Sequence, residues 1–106
     1  VKVRVLPSSM VRLPVGASSG LPRARDLFVS FDLDVLDAAH APGVSALNPD
    51  GWTVRQAAAW VRACGADRRV RCFDLMELNP VHDLERRTAR VAVHLFLTFL
   101  AGFAQR

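Results

Sequence analysis

Leu27-Phe28-Val29-Ser30-Phe31-Asp32-Leu33-Asp34 is the stretch from which the rest of the chain can be read. Its first five residues are strand formers and mostly apolar, the pattern of a strand covered on both faces of a parallel sheet. The run ends abruptly in acid, at Asp32, Asp34 and Asp37. Downstream comes a loop rich in turn formers, Ala41-Pro42-Gly43 and Asn48-Pro49-Asp50-Gly51. Thr53, with Gln56 three residues on, then forms a capping box that opens a helix with Val54, Ala58 and Val61 on one face. Gly65 is the expected end of that helix, as a C-cap. A second strand is expected over Val70 to Leu75, stopped by Glu77-Leu78-Asn79-Pro80, because Pro lacks the donor a ladder needs. A long helix begins between Asp83 and Thr88 and runs to about Phe103. It is apolar on nearly every side after Val91, so it is expected to be buried.

This order makes one β-α-β-α unit with parallel strands and a right-handed crossover. A two-stranded sheet beside so apolar a helix cannot cover its own surfaces. More sheet is expected next to it, from the same parent chain or a partner.

Composition agrees with this reading. The chain has 106 residues, 51% apolar and 23% charged, with a net charge of +4, which excludes a disordered tail. Two cysteines, Cys64 and Cys72, are too few for a disulfide-stapled miniprotein. A domain this short buries only about 60–65% of its unfolded surface. Its apolar content, together with a start at Val1 rather than Met, leads to the expectation of a fragment of a larger α/β unit. Residues 1–25 carry little information: Val1, Val3 and Val5 suit a short edge strand, and Pro, Gly and Ser punctuate the loop to Pro22.

The pI near 10.4 raises the question of nucleic acid. Thirteen of the fourteen basic residues are Arg, scattered along the chain apart from Arg68, Arg69, Arg71 and the group Arg86, Arg87, Arg90. No aromatic residues alternate with them as stacking platforms, so a solvated surface is expected and a nucleic-acid partner is not. The apolar run Val91 to Phe103 is broken by His94 and Thr98 and is shorter than the roughly 18–20 residues a membrane span requires.

The carboxylates are the chemistry-bearing residues. Asp32 and Asp34, two apart at a strand end, are expected to point to one face, at the carboxyl edge where open α/β sheets bind ligands. Two such carboxylates repel each other unless a cation lies between them, so a divalent metal is one reading; capping of turns or pairing with Arg is the other. Glu77 follows the second strand at the same edge, where it could meet a cationic substrate group or stabilise the start of the last helix. His40 and His82 fall on loops near that edge and read as surface residues, although either could carry a proton. His94, within the apolar helix, reads as a hydrogen-bonded core residue. Cys64 and Cys72 lack the spacing of a metal knuckle or redox pair and read as reduced, partly buried thiols in a cytosolic setting. Ser30 has no nucleophile elbow and no phosphate loop is present.

Ser30-Phe31-Asp32-Leu33-Asp34-Val35-Leu36-Asp37, followed by Ala41-Pro42-Gly43 and Gly51, resembles the signature of the ureohydrolases, the arginase, agmatinase and formimidoylglutamase superfamily. Phe73-Asp74-Leu75-Met76-Glu77-Leu78-Asn79-Pro80, with Asp83 and Thr88-Ala89-Arg90, resembles a later part of the same family's sequence. The Ala41 to Ala46 loop and the Glu77 to Val91 stretch are most like formimidoylglutamase. The resemblance covers residues 26–106, as the C-terminal part of a ureohydrolase domain. It implies an α/β fold, part of a three-layer α-β-α arrangement around a parallel sheet and incomplete in this chain. It also implies two Mn2+ ions, with Asp32 bridging both and Asp34 binding one, and Glu77 facing the guanidinium or amidine end of a small-molecule substrate. The implied reaction is hydrolysis of a linear amidine C–N bond, N-formimidoyl-L-glutamate to glutamate and formamide, in a cytoplasmic enzyme that is a homo-oligomer when intact. The family's other ligands, a His and an Asp-x-His-x-Asp segment, would lie earlier in the chain, where residues 1–31 hold no His and only Asp26 as acid. The chain alone is therefore expected to be inactive. Arginase or agmatinase specificity is the near alternative, and a non-catalytic α/β remnant or oligomerisation piece is the rival of another class.

Overall fold

The structure, a computed structural model, describes residues 21–106. The edge strand expected at Val1 to Val5, and most of the loop after it, lie outside the described residues. Strand β1 (Leu27–Asp32) leads into a short 3₁₀ turn (Leu33–Val35). Helix α1 (Val54–Ala66), strand β2 (Val70–Met76) and helix α2 (Arg87–Phe103) follow, with a second 3₁₀ turn (Leu84–Arg86) just before α2. The two strands pair in parallel, Val29 opposite Phe73 and Asp32 opposite Met76, as the β-α-β-α order requires.

Both helices cover the same face of this sheet. Val29 and Phe31 point inward with Phe73 and Leu75, Trp60 of α1 lies 6.0 Å from the Phe31 ring, and Phe99 of α2 stacks on Phe73 at 4.2 Å. These residues join Leu36, Trp52, Val61, Cys64, Val70 and Leu95 in one core. The opposite face carries Phe28, Cys72 and the Ser30–Asp74 hydrogen bond, all exposed or half-exposed; Phe28 is 63% accessible. Among the described residues the fold is thus two layers of the expected three.

That layering explains why α2 is not buried all round. Leu95 and Phe99 are in the core, whereas Val93, Phe96, Leu97, Leu100 and Phe103 are exposed, because one sheet face and one neighbouring helix can cover only one stripe of a helix. His94 lies on the uncovered side and is exposed. It is not the core histidine that helix composition led one to expect.

The capping box at α1 forms as read from the sequence. Gln56 N–H donates to Thr53 Oγ1 at 3.3 Å, and Thr53 N–H donates back to Gln56 Oε1 at 2.9 Å. Thr53→Ala should lower stability by about 1 kcal/mol, read as a shifted urea midpoint at unchanged slope. The end of α1 departs from expectation. Gly65 is inside the helix, and the cap is Asp67, whose N–H reaches the carbonyls of Ala63 and Cys64. Asp67 also grips Arg69 through paired hydrogen bonds, the shortest 2.7 Å, and the Arg69 guanidinium holds its carboxyl below the usual range. Gly65 serves instead as the contact point between helices. It faces Phe99 of α2, as Gly102 faces Arg62 of α1, at backbone-to-backbone approach.

The thiols divide between surface and core. Cys64 is buried, which pushes its thiol far above the usual range, and Cys72 is exposed on the bare face of the sheet. The Arg68, Arg71, Arg86, Arg87 and Arg90 side chains are on exposed residues, as a solvated basic surface requires. Among the described residues no helix is long and apolar enough to cross a membrane.

Candidate metal and substrate site

The carboxyl ends of β1 and β2 lie side by side, since Asp32 pairs in register with Met76. Asp32 and Glu77 therefore emerge at the same sheet edge, as the sequence indicated. How Asp32 and Asp34 come together is different. The strand stops at Asp32, whose Oδ1 accepts the Asp34 N–H at 2.8 Å and so caps the 3₁₀ turn that carries Asp34. An Asp side chain readily offers its own backbone this bond two residues on, and a strand does not survive it. Leu33 between them is fully buried and anchors the turn.

Electrostatically this pair is uncomfortable. Burial, then the Asp32 charge, raises the Asp34 pKa above the ordinary carboxylate value, against a backbone N–H from Ala46 that lowers it. Asp34 Oδ1 is also buried without a hydrogen-bond partner. An orphaned carboxylate oxygen beside a second carboxylate costs free energy that a cation would offset. Its oxygen donors match a hard or borderline divalent ion such as manganese. The pair supplies only part of a coordination shell: among the described residues no three His, Cys, Asp or Glu side chains converge to hold a metal.

Glu77 is exposed, at the first position beyond β2, in a left-handed backbone conformation with φ 68°. A non-glycine residue there is strained unless its surroundings hold it. The following residues supply that hold. Asn79 N–H donates to the Gly43 carbonyl at 2.8 Å and Asn79 Nδ2 reaches Ser45 Oγ at 3.3 Å. His40 and His82 are exposed on the loops, as expected.

Sequence reasoning missed the group beneath these loops. Asp83 accepts the Thr88 and Ala89 N–H groups at 2.7 and 2.9 Å, closing the N-terminus of α2, and the Thr88 hydroxyl accepts the Gly43 N–H at 2.7 Å. The spacing Asp83 to Thr88 is longer than a capping box because the Leu84–Arg86 turn, with Glu85 and Arg86 in left-handed backbone, intervenes. An acid four residues ahead of an apolar helix was the available signal. Burial acts to raise the Asp83 pKa, but donation from Ala89 N–H, Thr88 N–H and the Thr88 hydroxyl outweighs it and holds the carboxyl below its ordinary value. A depressed folded pKa means stability that is present above the unfolded value of about 4 and lost as pH falls through the folded one. Asp83→Asn should therefore flatten the acid limb of a thermal-melting profile below about pH 4 and lower stability at neutral pH.

Residues 15–102 match the sequence profile of the arginase family. The chain belongs to that family. It is 38% identical over 87 residues to the formimidoylglutamase of Halalkalibacterium halodurans, covering 81% of this chain and 27% of that protein. It is 35% identical over 82 residues to the agmatinase of Bacillus subtilis, covering 76% of this chain and 28% of that protein. The crystal structure of Trypanosoma cruzi formiminoglutamase with Mn2+ superposes with a TM-score of 0.75 at 37% identity, over 78% of this chain and 28% of that one. The chain thus spans about a quarter of the length of the relatives it matches. The arginase-like α/β fold, read as partial from the bare sheet face, agrees with that span.

Proposed function

We propose that residues 26–106 are the C-terminal part of a manganese-dependent ureohydrolase that hydrolyses a linear amidine C–N bond, with formimidoylglutamate giving glutamate and formamide as the favoured reaction. The observation that carries this reading is Asp34: a carboxylate with a buried, unpartnered oxygen, in the field of the Asp32 charge at the sheet edge of an arginase-family chain.

In this reading Asp32 and Asp34 would hold manganese. Bound manganese supplies the Lewis acidity that activates water at neutral pH. Glu77, on the adjoining strand end, accepts hydrogen bonds from the cationic nitrogen end of the substrate and so orients the planar carbon in front of the carboxylate pair. Its exposure is appropriate to a group that must meet a ligand. A cytoplasmic setting with both thiols reduced, and a homo-oligomer for the intact enzyme, belong to the same reading.

Two carboxylates alone give a weak site, because a metal shell must be completed by further donors. Calorimetry on the 106-residue chain should accordingly show weak manganese binding and no hydrolysis; tight binding of two ions would contradict it. The substrate is tested by grafting. Residues 26–106 exchanged for the matching segment of the Halalkalibacterium formimidoylglutamase should leave manganese-dependent turnover, assayed on formimidoylglutamate, agmatine and arginine in parallel. Turnover of agmatine or arginine in preference to formimidoylglutamate would transfer the assignment to the alternative specificity. No turnover by a folded, manganese-loaded chimera would favour a non-catalytic remnant.

A further inference from the structure

Three segments of backbone meet at Gly43. Its N–H donates to Thr88 Oγ1 at 2.7 Å, and its carbonyl accepts the Asn79 N–H at 2.8 Å. One residue of the loop after β1 is thereby held on one side by the first turn of α2 and on the other by the loop after β2. Thr88 is fully buried; its hydroxyl accepts from Gly43, and its backbone N–H donates to the Asp83 carboxylate at 2.7 Å. The fit is tight, since a Cβ on Gly43 would overlap Asp83. The Asn79 side-chain amide adds a second tie to Ser45 Oγ at 3.3 Å. Short lengths of chain lead from this knot to both proposed functional groups. Three residues beyond Gly43 is Ala46, whose backbone N–H acts on the Asp34 carboxylate and lowers its pKa. Two residues before Asn79 is Glu77, in its left-handed conformation.

The geometry points to Thr88 and Asn79 as positioning residues, which lock the loop beside Asp34 to the loop carrying Glu77. The spacing between the metal-facing and substrate-facing carboxylates is then set by the buried start of α2 and not by either loop alone. This rests on the roles proposed above for Asp34 and Glu77. The physical reason is the cost of leaving the knot open. Losing the Thr88 hydroxyl strands a buried Gly43 N–H, a larger penalty than an exposed loop contact carries. Reacting groups displaced by about 1 Å can lose on the order of a hundredfold in rate, so a lock of this kind matters to chemistry it never touches.

Amide exchange by NMR on the 106-residue chain tests it without requiring turnover. In Thr88→Val, which keeps the side-chain shape, the Gly43, Ala46 and Asn79 amides should exchange about tenfold to a hundredfold faster, with Val61 and Cys64 in α1 unchanged. Thr88→Ser should restore wild-type rates. Acceleration at Gly43 alone, or a serine variant that behaves like valine, would overturn the proposal. Should Val61 and Cys64 also accelerate, the fold has opened and Asn79→Ala decides: faster exchange at Ala46 supports the lock and an unchanged rate overturns it. Added MnCl2 gives the second readout. It should broaden the Asp34 and Glu77 signals in the wild-type chain, and in Thr88→Val the broadening at Glu77 should fall relative to Asp34; an unchanged ratio overturns the positioning role. Absence of any broadening in the wild-type chain would remove the metal assignment and leave the exchange rates to judge the lock.

Discussion

Gly65→Ala is expected to destabilise the chain by about 3 kcal/mol, with Gly102→Ala close behind. The sign is what makes this result informative. Both glycines lie inside helices, Gly65 in α1 and Gly102 in α2, where alanine ordinarily gains about 1 kcal/mol. Here the added Cβ at Gly65 would overlap the Phe99 carbonyl oxygen, and the one at Gly102 would overlap the Arg62 carbonyl oxygen. Backbone cannot rotate aside as a flexible side chain can, so the two helices would have to separate. That separation would draw Leu95 and Phe99 away from the core they share with Val61 and Cys64. A chain of this size has a total stability of only about 5–15 kcal/mol, which makes the loss a large fraction. Urea unfolding followed by tryptophan fluorescence should show a lower midpoint at unchanged slope. An alanine variant as stable as wild type would mean that the helices cross elsewhere.

The second large effect is expected at Asp32. In the active chimera, Asp32→Asn should reduce manganese-dependent hydrolysis on the order of a thousandfold, since a carboxylate proposed to hold manganese is lost. Asparagine is nearly isosteric and caps a turn as well as aspartate does, so its amide oxygen can still accept the Asp34 N–H. The turn that presents Asp34 should therefore persist. In the metal-free chain the variant should be as stable as wild type or more so, because the Asp32 charge is one of the causes that raise the Asp34 pKa. Lost metal binding with retained melting temperature distinguishes a ligand from a structural carboxylate. Near-normal turnover would end the assignment of Asp32.

The two kinds of residue behind these expectations were not equally visible in the sequence. Asp32, Asp34 and Glu77 were legible because strand ends and acid coincide twice in one short chain, and because the motifs around them resemble a known family. The Thr53–Gln56 cap was legible because both partners are local. Gly65 was misread, since a glycine near a helix end looks the same whether it caps the helix or admits a neighbour. Its neighbour, Phe99, is more than thirty residues away. His94 was misread for a related reason: its helix is apolar on most sides, and composition alone does not tell which side the sheet covers.

By itself, then, the sequence determined the element order, the parallel pairing and the delivery of acid to one edge, all of which follow from local periodicity and chain direction. Only the tertiary structure decided that both helices share one sheet face and that their glycines touch. Only it revealed that Asp32 reaches Asp34 through a capped turn, and that Thr88 and Asn79 meet at Gly43 to tie the loops after the two strands. These depend on distances between segments far apart in the chain. Such distances are set by close packing and by the need to satisfy buried polar groups, which no local pattern of residues encodes.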